Sequence, residues 1–135
     1  MDLIECSKLR LDKASQSSIL PDKIRKDLLS KGNNFVLVYT KKSQTLRFFP
    51  ISQDNVWWLK ISINSFSPET SGEILAKLSK LVTEFVYSTG ICLSKSKCFW
   101  DGVILNSAFV KSREEIIREL KEVPNVVEVS LREIK

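Results

Sequence analysis

With 135 residues, 43% of them hydrophobic, the chain has the composition of a globular protein and the length of one ordinary domain or two small ones. No apolar run approaches the ~18 residues of a membrane span, and Met1-Asp2-Leu3-Ile4-Glu5 lacks the order of a secretory signal, so a cytoplasmic protein without a membrane partner is expected. Histidine is absent, which excludes imidazole bases, Ser-His triads and His metal sites, and the net charge of +5 lies wholly in residues 1–50, where ten Lys/Arg face five Asp/Glu.

The first ten or so residues, Leu3 to Asp12, alternate Ile4, Cys6, Leu9 and Leu11 with charged neighbours and predict a half-exposed strand. A polar loop, 13–18, follows. Pro21 then opens a helix to Leu29, with Asp22 at its positive end and Lys31-Gly32-Asn33 as its stop; Ile24, Leu28 and Leu29 are expected on its buried side. Phe35 to Thr40 and Thr45 to Ile51 read as strands of a hairpin. Clustered cations release counterions from a phosphate backbone, so double-stranded DNA is the expected partner of this half.

The segment Ser18-Ile19-Leu20-Pro21-Asp22-Lys23-Ile24-Arg25-Lys26-Asp27-Leu28, followed by Phe35-Val36-Leu37-Val38-Tyr39, resembles the AbrB-like swapped-hairpin DNA-binding family. The resemblance implies a small β-barrel built from interleaved hairpins of two chains, hence a homodimer or larger assembly. It implies DNA contacts from Arg10, Arg25 and Lys26, with Lys13, Ser17 and Ser18 supporting from the loop; Gln16-Ser17 stand where the family usually carries Gly-Arg. A unit of ~50 residues buries little surface alone, which agrees with a dimer.

Ser52-Gln53-Asp54-Asn55 is a polar break, giving domains 1–52 and 53–135. Val56 to Phe66 predicts a strand with Leu59, Ile61 and Ile63 on one face; Trp57 and Trp58, as neighbours, must face opposite sides. Ser67 as N-cap and Pro68 at the first position start a helix to about Val86, with a core stripe of Ile74, Leu75, Leu78, Leu81, Val82 and Phe85. Ile91 to Lys97 and Val103 to Val110 are expected as strands around a turn at Trp100-Asp101-Gly102. Ser112 to Glu115 has capping-box spacing and begins a helix with Ile116, Ile117 and Leu120 inward, and Pro124-Asn125 turn the chain into a last strand, Val126 to Ile134.

The expected fold class is therefore α+β, with a βαββαβ ferredoxin-like second domain. Gly72-Glu73-Ile74-Leu75-Ala76-Lys77-Leu78, Tyr87-Ser88-Thr89-Gly90-Ile91 and Val123-Pro124-Asn125-Val126-Val127-Glu128-Val129 resemble an ACT domain. That resemblance implies dimerisation or the sensing of a small-molecule effector, such as an amino acid, at the first strand-helix loop, with Asn64, Ser65, Ser67, Thr70, Ser71 and Gly72 as candidate ligand-binding residues.

A DNA-binding transcription regulator is the resulting expectation. An antitoxin or adaptor module and an RNA-binding sheet are the alternatives, the latter disfavoured because the basic charge lies in the other half. Cys6, Cys92 and Cys98 are odd in number and are expected as reduced packing thiols. Glu69, Glu73 and Asp101 are expected as scattered surface charges, so no catalytic residue, metal site or cofactor is expected and the chain reads as a non-enzyme.

Overall fold

A computed structural model describes residues 2–11, 20–52 and 55–135; among them seven strands form two antiparallel sheets alongside three α-helices, a mixed α+β protein. The chain divides into two compact units, residues 1–54 with 134–135, and residues 55–133.

In the first unit, β1 (Ile4–Arg10), α1 (Asp22–Lys31), β2 (Asn34–Thr40) and β3 (Thr45–Pro50) give a three-stranded sheet of order β1-β2-β3. Ile4 stands opposite Thr40 and Arg10 opposite Asn34, while Phe35 faces Pro50 and Thr40 faces Thr45 across a four-residue connection. Gln44 takes a left-handed φ of 53° there, and its N–H donates to the Lys41 carbonyl at 3.4 Å. Ile4, Leu11, Phe35, Val36, Val38 and Ile134 are buried. Residues 134–135 belong here because the Lys8 N–H donates to the Lys135 carbonyl at 3.1 Å. Helix α1 departs from expectation: none of its residues is buried, and Ile24 is 50% exposed.

The second unit runs β4 (Val56–Ile63), α2 (Pro68–Leu81), β5 (Tyr87–Ser94), β6 (Lys97–Leu105), a short 3-10 turn (Asn106–Ala108), α3 (Arg113–Lys121) and β7 (Val126–Glu133). Its sheet has the order β5-β6-β4-β7, with every pair antiparallel. The two-residue period of β4 sends Leu59, Ile61 and Ile63 into one core with Ile74 and Leu78 of α2 and Ile116 and Leu120 of α3, so both helices cover the same face. Truncating Leu78 to Ala at the centre of this layer is expected to cost ~2–5 kcal/mol.

Three further expectations are corrected here. Helix α2 stops at Leu81 rather than Val86: Val82 turns extended and bridges Phe109, the Thr83 N–H reaches the Ala108 carbonyl at 2.9 Å, and the Val110 N–H reaches the Leu81 carbonyl at 2.9 Å. Val82 continues the apolar period but serves the core from extended backbone, Phe85 packs on that core beyond the helix end, and Leu75 is 56% exposed. The hairpin turn lies at Lys95-Ser96, so Trp100, Asp101 and Gly102 are mid-strand in β6 and Val103 to Leu105 finish that strand. Finally, Cys92 and Cys98 are joined in a disulfide across the β5–β6 rung, and Cys6 takes no part in it. Among the described residues no helix is long and apolar enough to cross a membrane.

Candidate functional site

The cationic candidate is built on α1 and the end of β1. Pro21 has no N–H to leave unpaired, and its carbonyl accepts the first helical bond from Arg25 N–H at 3.0 Å. Gly32 ends the helix at φ 142°, a backbone conformation open to glycine, and donates its N–H to the Leu29 carbonyl. One helical turn thus presents Arg25 and Lys26, which with Leu29 and Ser30 line a shallow recess of about 410 Å³. Lys26 is exposed, while Arg25 is half-buried and its guanidinium lies 3.3 Å from the Asp22 carboxylate one turn earlier. An exposed pair of this spacing is worth only ~0.3–0.5 kcal/mol, so a phosphate can compete for the guanidinium.

Arg10 is exposed at the last rung of β1, held in place where the Leu11 N–H donates to the Asn33 carbonyl at 2.7 Å. Lys13, Ser17 and Ser18 lie outside the described residues. Arg25 and Lys26 are therefore brought together on one surface, and Arg10 stands on a separate element. Sequence reasoning passed over Lys41, Lys42 and Arg47, all exposed on the β2–β3 hairpin; the same charge count that singled out α1 includes them. Lys41 is paired with Glu5 at 3.2 Å.

The second candidate is the loop between β4 and α2. Much of its polarity is spent on folding. Ser67 Oγ accepts the Thr70 N–H at 3.1 Å and its hydroxyl donates to Thr70 Oγ1, which also receives the Asn125 amide at 3.2 Å; Thr70 is buried. The Asn64 N–H donates to the carbonyl of Asn125, whose φ of 73° marks the turn before β7. Ser65 and Gly72 are exposed, with no atom within 4 Å of a Cβ placed on Gly72.

Of the six ligand candidates Ser71 lines a cleft, a space of about 330 Å³ between α2 and the edge strand β5. Its walls include Ile63, Phe66, Ile74, Leu75 and Trp100, its floor includes the Cys92–Cys98 disulfide, and no lining residue is charged. Its described lining is chemically suited to an uncharged apolar group and offers no charged partner to an ionised one.

The tryptophans are committed to packing. Trp57 meets Phe109 edge to face at 6.4 Å, carries the Arg113 guanidinium at 4.2 Å over its ring, and donates to Asn106 Oδ1. Trp58, on the opposite side of β4, lies under Arg132 at 4.5 Å. Trp100 packs edge to face with Phe85 at 5.4 Å. Glu69 and Glu73 are exposed, but Asp101 is only 2% exposed and corrects the expectation of a surface charge. Lys111, ahead of α3, puts its ammonium 3.0 Å from Glu119 on that helix and holds the carboxyl below the ordinary carboxylate range, assisted by Lys77 and Arg118.

Comparison with known proteins found no match: no family model, no curated protein and no solved structure is significantly similar to the chain.

Proposed function

We propose that the protein is a DNA-binding transcription regulator that acts as a homodimer in the cytoplasm, with an AbrB-like swapped-hairpin module at its front and an ACT-like, ferredoxin-like module behind it. The observation that carries this reading is helix α1. It displays Arg25 and Lys26 within the segment that holds all the net charge, yet buries none of its own residues although it carries Ile24, Leu28 and Leu29. An amphipathic helix whose apolar side is only partly covered, with Ile24 exposed and Leu28 and Leu29 half-buried, gains stability by burying the remainder against a second copy, and interleaved hairpins supply the cover. The strand order β5-β6-β4-β7, with both helices on one face, supports the ferredoxin-like reading of the second module. Within it, the cleft beside Ser71 favours an effector that is apolar and uncharged.

The test is a salt-dependent titration of duplex DNA with the full chain and with Arg25→Ala/Lys26→Ala. Losing two phosphate contacts per chain lowers the slope of log K against log salt by about two per chain, and the thermal midpoint stays within a degree or two because Lys26 is exposed and the half-buried Arg25 gives up a weak pair with Asp22. A double variant that binds duplex DNA as the parent does overturns the contact assignment.

A further inference from the structure

The disulfide, the hairpin tip and the cleft form one connected chain of contacts. Cys92 and Cys98 face each other on adjacent strands, Cys92 exposed and Cys98 2% exposed in the core. Beyond them the pairing of β5 with β6 shifts register, leaving a single rung, Ser94 opposite Lys97, before the turn. Every residue from Leu93 to Lys97 is exposed, so no burial anchors the tip. From that tip the Lys95 carbonyl accepts the Phe66 N–H at 3.0 Å, and Phe66, 50% exposed, is a wall of the apolar cleft.

We infer that the Cys92–Cys98 bond is a redox-reversible latch that holds the β5–β6 tip, and through it Phe66, at the mouth of the cleft. A reducing compartment makes a protein disulfide a transient, signal-bearing bond rather than a fixture; this context rests on the DNA-regulator reading above, whereas the thiol chemistry does not. The reductant is a dithiol. Its thiolate attacks the sulfur of Cys92, the more exposed residue of the pair, the S–S bond breaks, and Cys98 leaves as a thiolate that takes up a proton. The second thiol of the reagent then attacks the mixed disulfide, releasing Cys92, which is protonated in turn. Two electrons and two protons have passed to the protein, and the dithiol departs as a disulfide. With the covalent rung gone, the tip rests on the irregular Ser94–Lys97 rung and the 3.4 Å contact of Cys98 Sγ with the Ser94 carbonyl, and the Lys95–Phe66 bond opens more often.

The experiment uses the full chain and no DNA, so its failure is distinct from failure of the DNA-binding reading. Protein equilibrated in dithiothreitol redox buffers under native conditions is alkylated and mapped by peptide mass, which separates Cys6 from the pair, while hydrogen exchange is followed in parallel. The expected result is reversible labelling of Cys92 and Cys98 together, with unchanged secondary structure. Exchange at Phe66 and Leu93–Lys97 becomes about tenfold faster, and exchange in β4 is unaltered. Cys92→Ser, at an exposed position, should reproduce the reduced exchange pattern without any reductant. A bond that reduces only on global unfolding, a unit that unfolds when reduced, or equal exchange at Phe66 in both states or in Cys92→Ser overturns the latch.

Discussion

Trp58 donates its indole N–H to Asp101 Oδ1 at 2.7 Å, joining residues that are 8% and 2% exposed on neighbouring strands β4 and β6. A hydrogen bond to a buried carboxylate is worth ~1.5–3 kcal/mol, and removing one partner costs more than exchanging both for apolar groups. Trp58→Phe is expected to lower unfolding stability in urea by ~2 kcal/mol at unchanged m-value. Asp101→Leu should cost less in the Trp58→Phe background than in the parent. Additive losses in this cycle would show the bond to be without consequence.

Gly102 is required by a ring. A Cβ placed on it would stand 2.5 Å from Trp100 Cη2 and 2.8 Å from Cζ3, on an indole already fixed edge to face against Phe85. Gly102→Ala is therefore expected to destabilise by ~1–3 kcal/mol, the usual cost of overpacking, and to alter the tryptophan near-ultraviolet signal. Trp100→Leu removes the obstructing atoms, so Gly102→Ala should cost less in that background; an undiminished cost would place the strain elsewhere.

Ser67 and Ser112 cap α2 and α3 by accepting the N–H of Thr70 and Glu115, at 3.1 and 3.3 Å. Replacement by Ala should cost ~1 kcal/mol at each site and replacement by Gly only a few tenths. The Ser67→Ala loss should be the larger of the two in thermal unfolding, because Thr70 is buried and its Oγ1 also loses the Ser67 hydroxyl.

Glu119 titrates low because it accepts from Lys111. Its folded value lies below its unfolded one, so the pair's contribution is complete above the ordinary carboxylate range and disappears as pH falls through the folded value. Carboxyl NMR should find Glu119 titrating below the ordinary carboxylate range, and Lys111→Met should move it upward. No movement in that variant would remove Lys111 as the principal cause.

Local chemistry was the most legible part of the sequence. Ser67-Pro68, Ser112 with Glu115, and Pro124-Asn125 act through bonds a few residues long, and they mark the start of α2, the start of α3 and the turn into β7 as expected. Errors arose where a residue answered to a distant neighbour. Asp101-Gly102 has the composition of a turn, but Asp101 is there for Trp58 and Gly102 for the Trp100 ring. Val82 and Phe85 keep helical spacing while the backbone is drawn out to pair with Phe109. The disulfide had a readable sign, since Cys92 and Cys98 each lie three residues from Lys95 and flank the polar run Ser94-Lys95-Ser96-Lys97; counting three cysteines hid it. At the candidate DNA surface, the family resemblance together with the local charge excess singled out Arg25 and Lys26, but neither gave warning that Asp22 would engage Arg25.

The return of Ile134 and Lys135 to the first unit has a consequence during synthesis. The ribosome makes the whole second unit before the two residues that finish the first. Until they emerge, the Lys8 amide lacks its acceptor and the apolar space filled by Ile134 stays open to water. A nascent chain therefore carries the cationic module without its contacts to Ile134 and Lys135 while residues 55–133 are being made.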